Sequence, residues 1–183
     1  MSITFEEAQD IIAKSEEIIL ASEIQDAYDA MGRAITYDLE LSDPLVLVVM
    51  NGALIPAGQL LTRLNFPFQI GYLHATRYNG DIEGATLEWK VKPSVDVKDR
   101  VVLLIEDIFD EGTTLKEIVS VIENMGAQVV YTAALVNKVH ERKPKDFKVN
   151  YIGVDVPDRY IFGCGMDYHE YWRNLPGIWA LKE

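Results

Sequence analysis

The stretch Val101-Val-Leu-Leu-Ile-Glu-Asp-Ile-Phe-Asp-Glu-Gly-Thr-Thr-Leu115 decides the fold, because it joins a buried strand to a helix through a short polar loop. Its opening run of β-branched and leucine side chains, residues 101–105, is typical of a strand that is buried on both faces of a parallel sheet. From Leu115 onward apolar residues recur at helical spacing, and Gly126 follows where a glycine commonly ends a helix. We therefore predict a strand, a loop and a helix in that order.

The loop between this strand and this helix concentrates oxygen ligands. Three carboxylates, Glu106, Asp107 and Asp110, are followed by the Glu-Gly-Thr-Thr sequence of residues 111–114. Such a loop directs backbone N–H groups and hydroxyls at an anion, with the positive end of the helix dipole behind them. The arrangement suits a ligand that carries phosphate, hydroxyl groups and a divalent metal. A solvated acidic loop is the simpler alternative, and an EF-hand is disfavoured because an EF-hand loop follows a helix.

Other apolar runs repeat the pattern of the central stretch. Residues 45–49 and 128–136 are predicted as buried strands, and helical patterns separate them from the central strand. This alternation indicates the α/β class, with an open, mainly parallel sheet and helices on both faces. Ligands bind beyond the carboxyl ends of such strands. Gly52, the loop of residues 106–114 and Lys138 all lie at those ends, so we predict a single site there.

The remaining segments carry weaker signals. Thr4, with Glu7 as its capping-box partner, is predicted to begin a short helix, and Ser22 to begin a longer one ending near Leu39. Strand-like runs at residues 66–74 and 86–91 flank a polar segment that we predict to be a lid, and the basic segment 139–149 is predicted to be a solvated connection.

Length and composition narrow the class of protein. A chain of 183 residues fits one domain with a sizeable core. The net charge of −12 argues against a nucleic-acid surface, and no segment is long and apolar enough to span a membrane. The N-terminus lacks the features of a secretion signal, and the single cysteine, Cys164, cannot form an internal disulfide. We therefore expect a cytoplasmic protein that binds neither nucleic acid nor membrane.

Residues 105–114, Ile-Glu-Asp-Ile-Phe-Asp-Glu-Gly-Thr-Thr, resemble the phosphoribosyl-pyrophosphate (PRPP) motif of type I phosphoribosyltransferases. The glutamate-aspartate pair and the later aspartate are similar to the 6-oxopurine branch of that family, and residues 156–168 and 173–176 resemble its purine-recognition hood. The resemblance spans about residues 45–178. It implies one phosphoribosyltransferase domain over residues 1–183, with a core of about 45–138 and a small hood formed by 150–178 and the N-terminal segment.

The resemblance implies transfer of 5-phosphoribose from PRPP to N9 of hypoxanthine or guanine, with release of pyrophosphate and Mg²⁺ as the cofactor. Glu106 and Asp107 would face the ribose hydroxyls and the metal, and Asp110 would be the acid/base group at N7 of the purine. The residues that would bind the 5′-phosphate are Glu111, Gly112, Thr113 and Thr114.

The resemblance also implies roles outside the central stretch. The pyrophosphate group would be bound by Asn51, Gly52 and Arg173, the purine by Lys138, Tyr160, Ile161 and Asp167, and a second metal by Asp167. Arg77 and Tyr78 would belong to the lid. Asn51 stands where the family often has a lysine and Arg77 where it usually has a serine, so Arg77 is a candidate source of the missing charge.

Two other functions fit the same site. One is a phosphoribosyltransferase that prefers xanthine, and the other is a non-catalytic regulator that senses PRPP or nucleotides, with or without RNA binding. The acidic net charge disfavours RNA, and the presence of both Asp110 and Lys138 favours catalysis. Members of the family usually associate, so a homodimer or homotetramer is expected.

Overall fold

The computed structural model describes residues 3–78, 86–93 and 95–182, with the backbone alone at residues 77, 78 and 86. The described strands are β1 Ser15–Ile19, β2 Leu45–Val49, β3 Gln69–Tyr78, β4 Thr86–Val91, β5 Val101–Phe109, β6 Val129–Val139, β7 Tyr151–Pro157, β8 Ile161–Phe162 and β9 Ile178–Leu181. The described α-helices are α1 Phe5–Asp10, α2 Ala21–Leu39, α3 Leu54–Leu60 and α4 Thr113–Asn124, and short 3₁₀ turns follow α1 and α3.

Six strands form one sheet in the order β4-β3-β2-β5-β6-β7. Neighbouring strands from β3 to β7 pair in parallel, and β4 adds to the edge as an antiparallel strand. The two central strands, β2 and β5, carry the longest apolar runs because both of their faces are covered. The prediction of an open, mainly parallel α/β sheet is confirmed.

The core has two layers, one on each face of this sheet. Val46 and Val48 of β2 point to a layer that contains buried residues of α2 and α3, such as Ile35 and Leu60. The alternate β2 residues, including Leu47, point to a second layer that contains the buried face of α4. Helices therefore cover both faces, and the carboxyl ends of the strands remain at one rim. None of the helices in the described part of the chain combines the length and apolar character that a membrane crossing requires.

A second, three-stranded sheet joins the two ends of the chain in the order β1-β9-β8. Both pairings are antiparallel. Trp172 also connects the two ends of the chain, because its Nε1–H donates a hydrogen bond to the Ala8 carbonyl oxygen at a distance of 2.6 Å. Sequence reasoning missed β1 and β9, since each is a short strand without a clear alternation of apolar and polar residues.

Several element boundaries differ from the predicted ones. The central strand β5 continues to Phe109, so Glu106 and Asp107 lie within the strand rather than after it. The prediction that β3 ends at residue 74 is wrong: Arg77 and Tyr78 belong to that strand, because pairing with β4 continues at their positions. The rest of the predicted lid, residues 79–85, lies outside the described residues.

The N-terminal helices begin close to where they were predicted. The capping box at the start of α1 is confirmed, with Thr4 Oγ1 accepting from Glu7 N at 3.2 Å and Glu7 Oε2 accepting from Thr4 N at 2.7 Å. The second helix, α2, begins at Ala21 rather than Ser22, because the Glu23 carboxylate accepts from Leu20 N at 2.8 Å and fixes the start there.

Candidate active site

The loop between β5 and α4 borders a cavity of about 470 Å³ at the rim of the sheet. No side chain caps the start of α4 among the described residues, so its first N–H groups are available to a bound anion. The residues that line the cavity are Glu106, Asp107, Ile108, Asp110, Glu111, Gly112, Thr113, Thr114 and Leu115. The structure therefore brings the predicted phosphate-binding residues and the predicted acidic residues to one concavity.

Gly112 shapes this loop. Its φ of 75° lies in the left-handed region, where a residue with a side chain is strained. A Cβ atom at this position would also lie 2.2 Å from Cε2 of Phe109, which is far inside van der Waals contact. Both restrictions require glycine, and together they let the loop turn sharply from the end of β5 into α4.

Glu106 and Asp107 crowd negative charge at the end of β5. Burial raises the pKa of Glu106 well above its usual range, and the neighbouring charge of Asp107 raises it further. Asp107 is buried, and its Oδ1 accepts from the Ile108 N–H at 2.8 Å. Two adjacent carboxylates offer the hard oxygen ligands that Mg²⁺ prefers, and a divalent cation would relieve their mutual repulsion. The residues present therefore fit the predicted metal.

The loop after β2 packs directly against these carboxylates. A Cβ atom at Gly52 would lie 2.1 Å from Asp107 Oδ2, so only glycine allows the backbone this close. The preceding Asn51 is exposed, and the peptide bond between Met50 and Asn51 is cis. The loop predicted for the pyrophosphate group is therefore in contact with Asp107, one of the two carboxylates predicted for the metal.

Asp110 stands at the other end of the cavity between two nitrogen donors. Lys138 Nζ donates to its Oδ2 at 2.7 Å, and His140 Nε2 lies 2.8 Å from its Oδ1. Partial burial alone would raise the pKa of Asp110, but the hydrogen bonds from Lys138 and His140 outweigh it and hold that pKa below its usual range. The structure thus places the predicted acid/base group and the predicted purine-binding lysine side by side.

The prediction that residues 139–149 form a solvated connection is wrong for the first part of that segment. The side chain of His140 is only 5% exposed because it is inserted beside Asp110. Lys143 Nζ donates to the Lys138 carbonyl at 2.6 Å and lies 4.2 Å from the centre of the Phe109 ring. His140 and Lys143 lie in a basic run without hydrophobic periodicity, so nothing in the sequence indicated that either side chain belongs to the site.

Asp110, His140 and Asp158 form a cluster whose ligand atoms lie within 4.8 Å of one another, a spacing that would suit a metal ion. However, Asp110 is already paired with Lys138, and Arg142 donates to both carboxylate oxygens of Asp158 at 2.7 and 2.9 Å. These cationic side chains supply the positive charge that a metal would bring. Glu106 and Asp107 therefore remain the predicted metal ligands on this rim.

The segment between β7 and β9 carries the other predicted purine-binding residues. Tyr160 is 51% exposed, and its ring packs edge-on against the ring of Tyr168, with 5.5 Å between the two ring centres. Ile161 is buried and pairs with Ala180 in the small sheet. Asp167 forms an ion pair with Arg173: its Oδ1 lies 2.8 Å from Arg173 Nη2.

Arg173 connects this segment to the loop after β2. Its Nη1 donates to the Gly165 carbonyl at 2.8 Å. A Cβ atom at Gly165 would in turn lie 2.1 Å from the Gly52 carbonyl oxygen, so Gly165 packs tightly against that loop. Two of the three residues predicted for the pyrophosphate group, Gly52 and Arg173, therefore contact Gly165.

Comparison with known proteins agrees with this geometry. A family model for the phosphoribosyl transferase domain matches residues 18–169, and the chain belongs to this family, as its resemblance to phosphoribosyltransferases predicted. The hypoxanthine-guanine phosphoribosyltransferase of Staphylococcus epidermidis is 33% identical over 169 residues, which cover 90% of this chain and 93% of that protein.

Solved structures give the same result. A hypoxanthine phosphoribosyltransferase from Staphylococcus aureus has a TM-score of 0.86 and 25% identity, covering 99% of this chain and 97% of that one. A hypoxanthine-guanine-xanthine phosphoribosyltransferase has a TM-score of 0.83 and 27% identity, covering 92% of this chain and 97% of that one.

Proposed function

We propose that the protein transfers 5-phosphoribose from PRPP to N9 of hypoxanthine or guanine and releases pyrophosphate. The observation that carries this proposal is the position of Asp110 and Lys138, 2.7 Å apart on the rim that also holds the anion-binding loop of residues 111–114. The names of the most similar relatives support it. The whole chain acts as one phosphoribosyltransferase domain, with the small sheet and the segment between β7 and β9 as the hood.

The phosphate end of the site uses backbone atoms. The N–H groups of residues 111–114 and the hydroxyls of Thr113 and Thr114 bind the 5′-phosphate at the start of α4. The Glu111 side chain is 60% exposed and lies 3.7 Å from Arg142, so its carboxylate points away from a bound anion. Only its backbone N–H serves the phosphate.

The ribose and pyrophosphate groups bind beside the acidic pair and the loop after β2. Glu106 and Asp107 would hold Mg²⁺, which would supply positive charge to the substrate oxygens and to the departing pyrophosphate. The backbone at Asn51 and Gly52 and the guanidinium of Arg173 hold the pyrophosphate. Asp167 holds Arg173 through an ion pair. It is also a candidate either to bind a second metal or to contact the 2-position of the base.

The base end discriminates between purines by charge. Lys138 donates to O6 of a 6-oxopurine, whereas the 6-amino group of adenine is itself a donor and meets an unmatched cation. Asp110 accepts the N7 proton as the bond at N9 forms. Tyr160 stacks on the base, and Ile161 offers backbone groups to its edge. The proposed lid, which continues from Arg77 and Tyr78 at the end of β3, excludes water from the sugar intermediate.

Incubation of the purified protein with PRPP, Mg²⁺ and one purine at a time tests this function. We expect nucleotide formation with hypoxanthine or guanine and none with adenine, and the Asp110→Asn variant serves as the inactive control. Faster turnover with xanthine than with either of the others would favour the xanthine-preferring alternative. Binding of PRPP without turnover of any 6-oxopurine would favour the regulator.

The setting of the protein is part of the same proposal. We propose a cytoplasmic enzyme that acts as a homodimer or homotetramer on small molecules and binds neither nucleic acid nor membrane. Light scattering of the purified protein measures the oligomeric state, and a monomeric mass at assay concentration would contradict this part.

A further inference from the structure

His140 directly follows β6, and its ring is held at both nitrogens. Nδ1 accepts from the Arg142 backbone N–H at 3.1 Å. A ring nitrogen that accepts a hydrogen bond carries no proton, so the ring proton of a neutral histidine lies on the other nitrogen. That nitrogen, Nε2, is 2.8 Å from Asp110 Oδ1. His140 is therefore arranged as a neutral imidazole whose Nε2–H donates to Asp110.

The two oxygens of Asp110 have different partners with different tasks. Oδ2 accepts from Lys138, which the proposed reaction also assigns to O6 of the purine. When the ammonium of Lys138 turns toward the base, Oδ2 is open to the proton at N7. Oδ1 still accepts from His140, whose side chain is 5% exposed and whose ring has no other task in the reaction.

We propose that His140 is a positioning residue, which holds Asp110 through Oδ1 so that Oδ2 faces N7 of the purine while Lys138 serves O6. This role rests on the proposed function, because it assigns a holder to the acid/base group of that reaction. A neutral donor suits the task. It fixes the orientation of the carboxylate without placing a second full charge beside it, and a second cation would make Asp110 a weaker base.

Charged side chains face Asp110 from several elements. Positive charge reaches this carboxylate from Lys138 at the end of β6 and from Arg142 and Lys143 in the following segment. Negative charge comes from Asp158 after β7 and from Glu111 before α4. Arg142 pairs with both, at 2.7 Å from Asp158 and 3.7 Å from Glu111.

The segment that carries His140 is also fixed in place. Lys143 donates to the Lys138 carbonyl at 2.6 Å and lies over the ring of Phe109. Two separate contacts therefore hold the backbone on either side of His140, one through Arg142 and Asp158 and one through Lys143. A donor that orients a reacting group must itself be held, and His140 meets this requirement.

Two substitutions separate the hydrogen bond of His140 from its volume. His140→Gln keeps an N–H donor at a similar reach, and His140→Phe keeps the ring and removes the donor. We expect kcat of the Gln variant to stay within about threefold of the wild type and kcat of the Phe variant to fall about tenfold, with little change in KM for PRPP. Val139→Ala, at an exposed neighbouring position, is the control and should leave kcat unchanged.

The pH profile distinguishes positioning from a structural role. Loss of a hydrogen bond to the ionised carboxylate raises the pKa of Asp110, so the acidic limb of kcat/KM for hypoxanthine should move to higher pH in the Phe variant and not in the Gln variant. Equal losses of kcat in the Gln and Phe variants would overturn the proposal.

A measurement without substrates keeps this test independent of the proposed reaction. In a ¹³C NMR titration, with the Asp110 carboxyl signal assigned through Asp110→Asn, the transition of Asp110 should move to higher pH in His140→Phe alone. An unmoved transition overturns the role of His140 whatever the enzyme does. A moved transition in a protein whose wild type makes no nucleotide overturns the reaction and retains His140 as the holder of Asp110.

Discussion

The two ends of the proposed active site, a phosphate end and a base end, are built in different ways. The proposed phosphate end is a single contiguous loop, residues 111–114, which offers backbone N–H groups and has a positive φ at Gly112. The base end is a cluster of side chains, Asp110, Lys138 and His140, contributed by the ends of two neighbouring strands. Function at the phosphate end is therefore tied to the fold, whereas function at the base end depends on groups that can be exchanged while the fold remains.

Removal of the acid/base group should give the largest effect and leave the fold intact. We expect Asp110→Asn to lower kcat about 10² to 10⁴-fold with a modest change in KM, because the amide cannot take the proton at N7. Steady-state kinetics with hypoxanthine measures this. Asp26→Asn on the exposed face of α2 is the matched control, and an unchanged kcat in Asp110→Asn would remove Asp110 from the reaction.

Loss of the lysine should act mainly on the base. We expect Lys138→Met to raise KM for hypoxanthine about 10 to 100-fold, the loss expected for a hydrogen bond from a charged group, while KM for PRPP changes little. Kinetics with each substrate varied in turn tests the separation of the two ends. If both KM values rise equally, the base end and the phosphate end are not separable in the way that the geometry indicates.

A side chain at Gly112 should damage both the fold and the phosphate end. We expect Gly112→Ala to raise KM for PRPP about tenfold and to lower the free energy of unfolding by about 1 to 3 kcal/mol, because it combines a strained φ with a clash against Phe109. Chemical denaturation measures the second quantity. Gly58→Ala is the matched control, since its added Cβ meets open space in the described part of the chain and α3 gains a better helix former. A stable Gly112→Ala variant would break the link between loop and fold.

The smallest expected effect is the pH dependence of stability that Asp110 contributes. Because the pKa of Asp110 is lowered in the folded state, its contribution is present above the unfolded value of about 3.9 and is lost as the pH falls through the folded value. Wild type should therefore exceed Asp110→Asn in stability at neutral pH by under about 1 kcal/mol, given the partial exposure of the carboxylate. Urea unfolding at several pH values tests this, and a difference that grows toward acid would contradict the sign.

The same contrast explains what the sequence could predict. The loop of residues 106–114 is contiguous, so its carboxylates, glycine and hydroxyls were recognisable together, and the apolar runs at 45–49 and 101–105 predicted the sheet. His140 joins Asp110 across 30 residues, and a single histidine in a basic run carries no periodicity that indicates a buried ring. The exact end of β3 depended on pairing with β4, a long-range contact that residues 75–78 do not encode alone.

The ring of Phe109 touches both ends of the site. Gly112 lies against its edge, and the ammonium of Lys143 lies 4.2 Å above its centre. A smaller residue at position 109 would leave a gap beside Gly112 at the phosphate end. It would also remove the ring that supports Lys143, which lies in the segment that carries His140 at the base end. A substitution at position 109, 112 or 143 would therefore disturb the packing of the other two, and a redesign of the site for a new base has to treat the three positions as one unit.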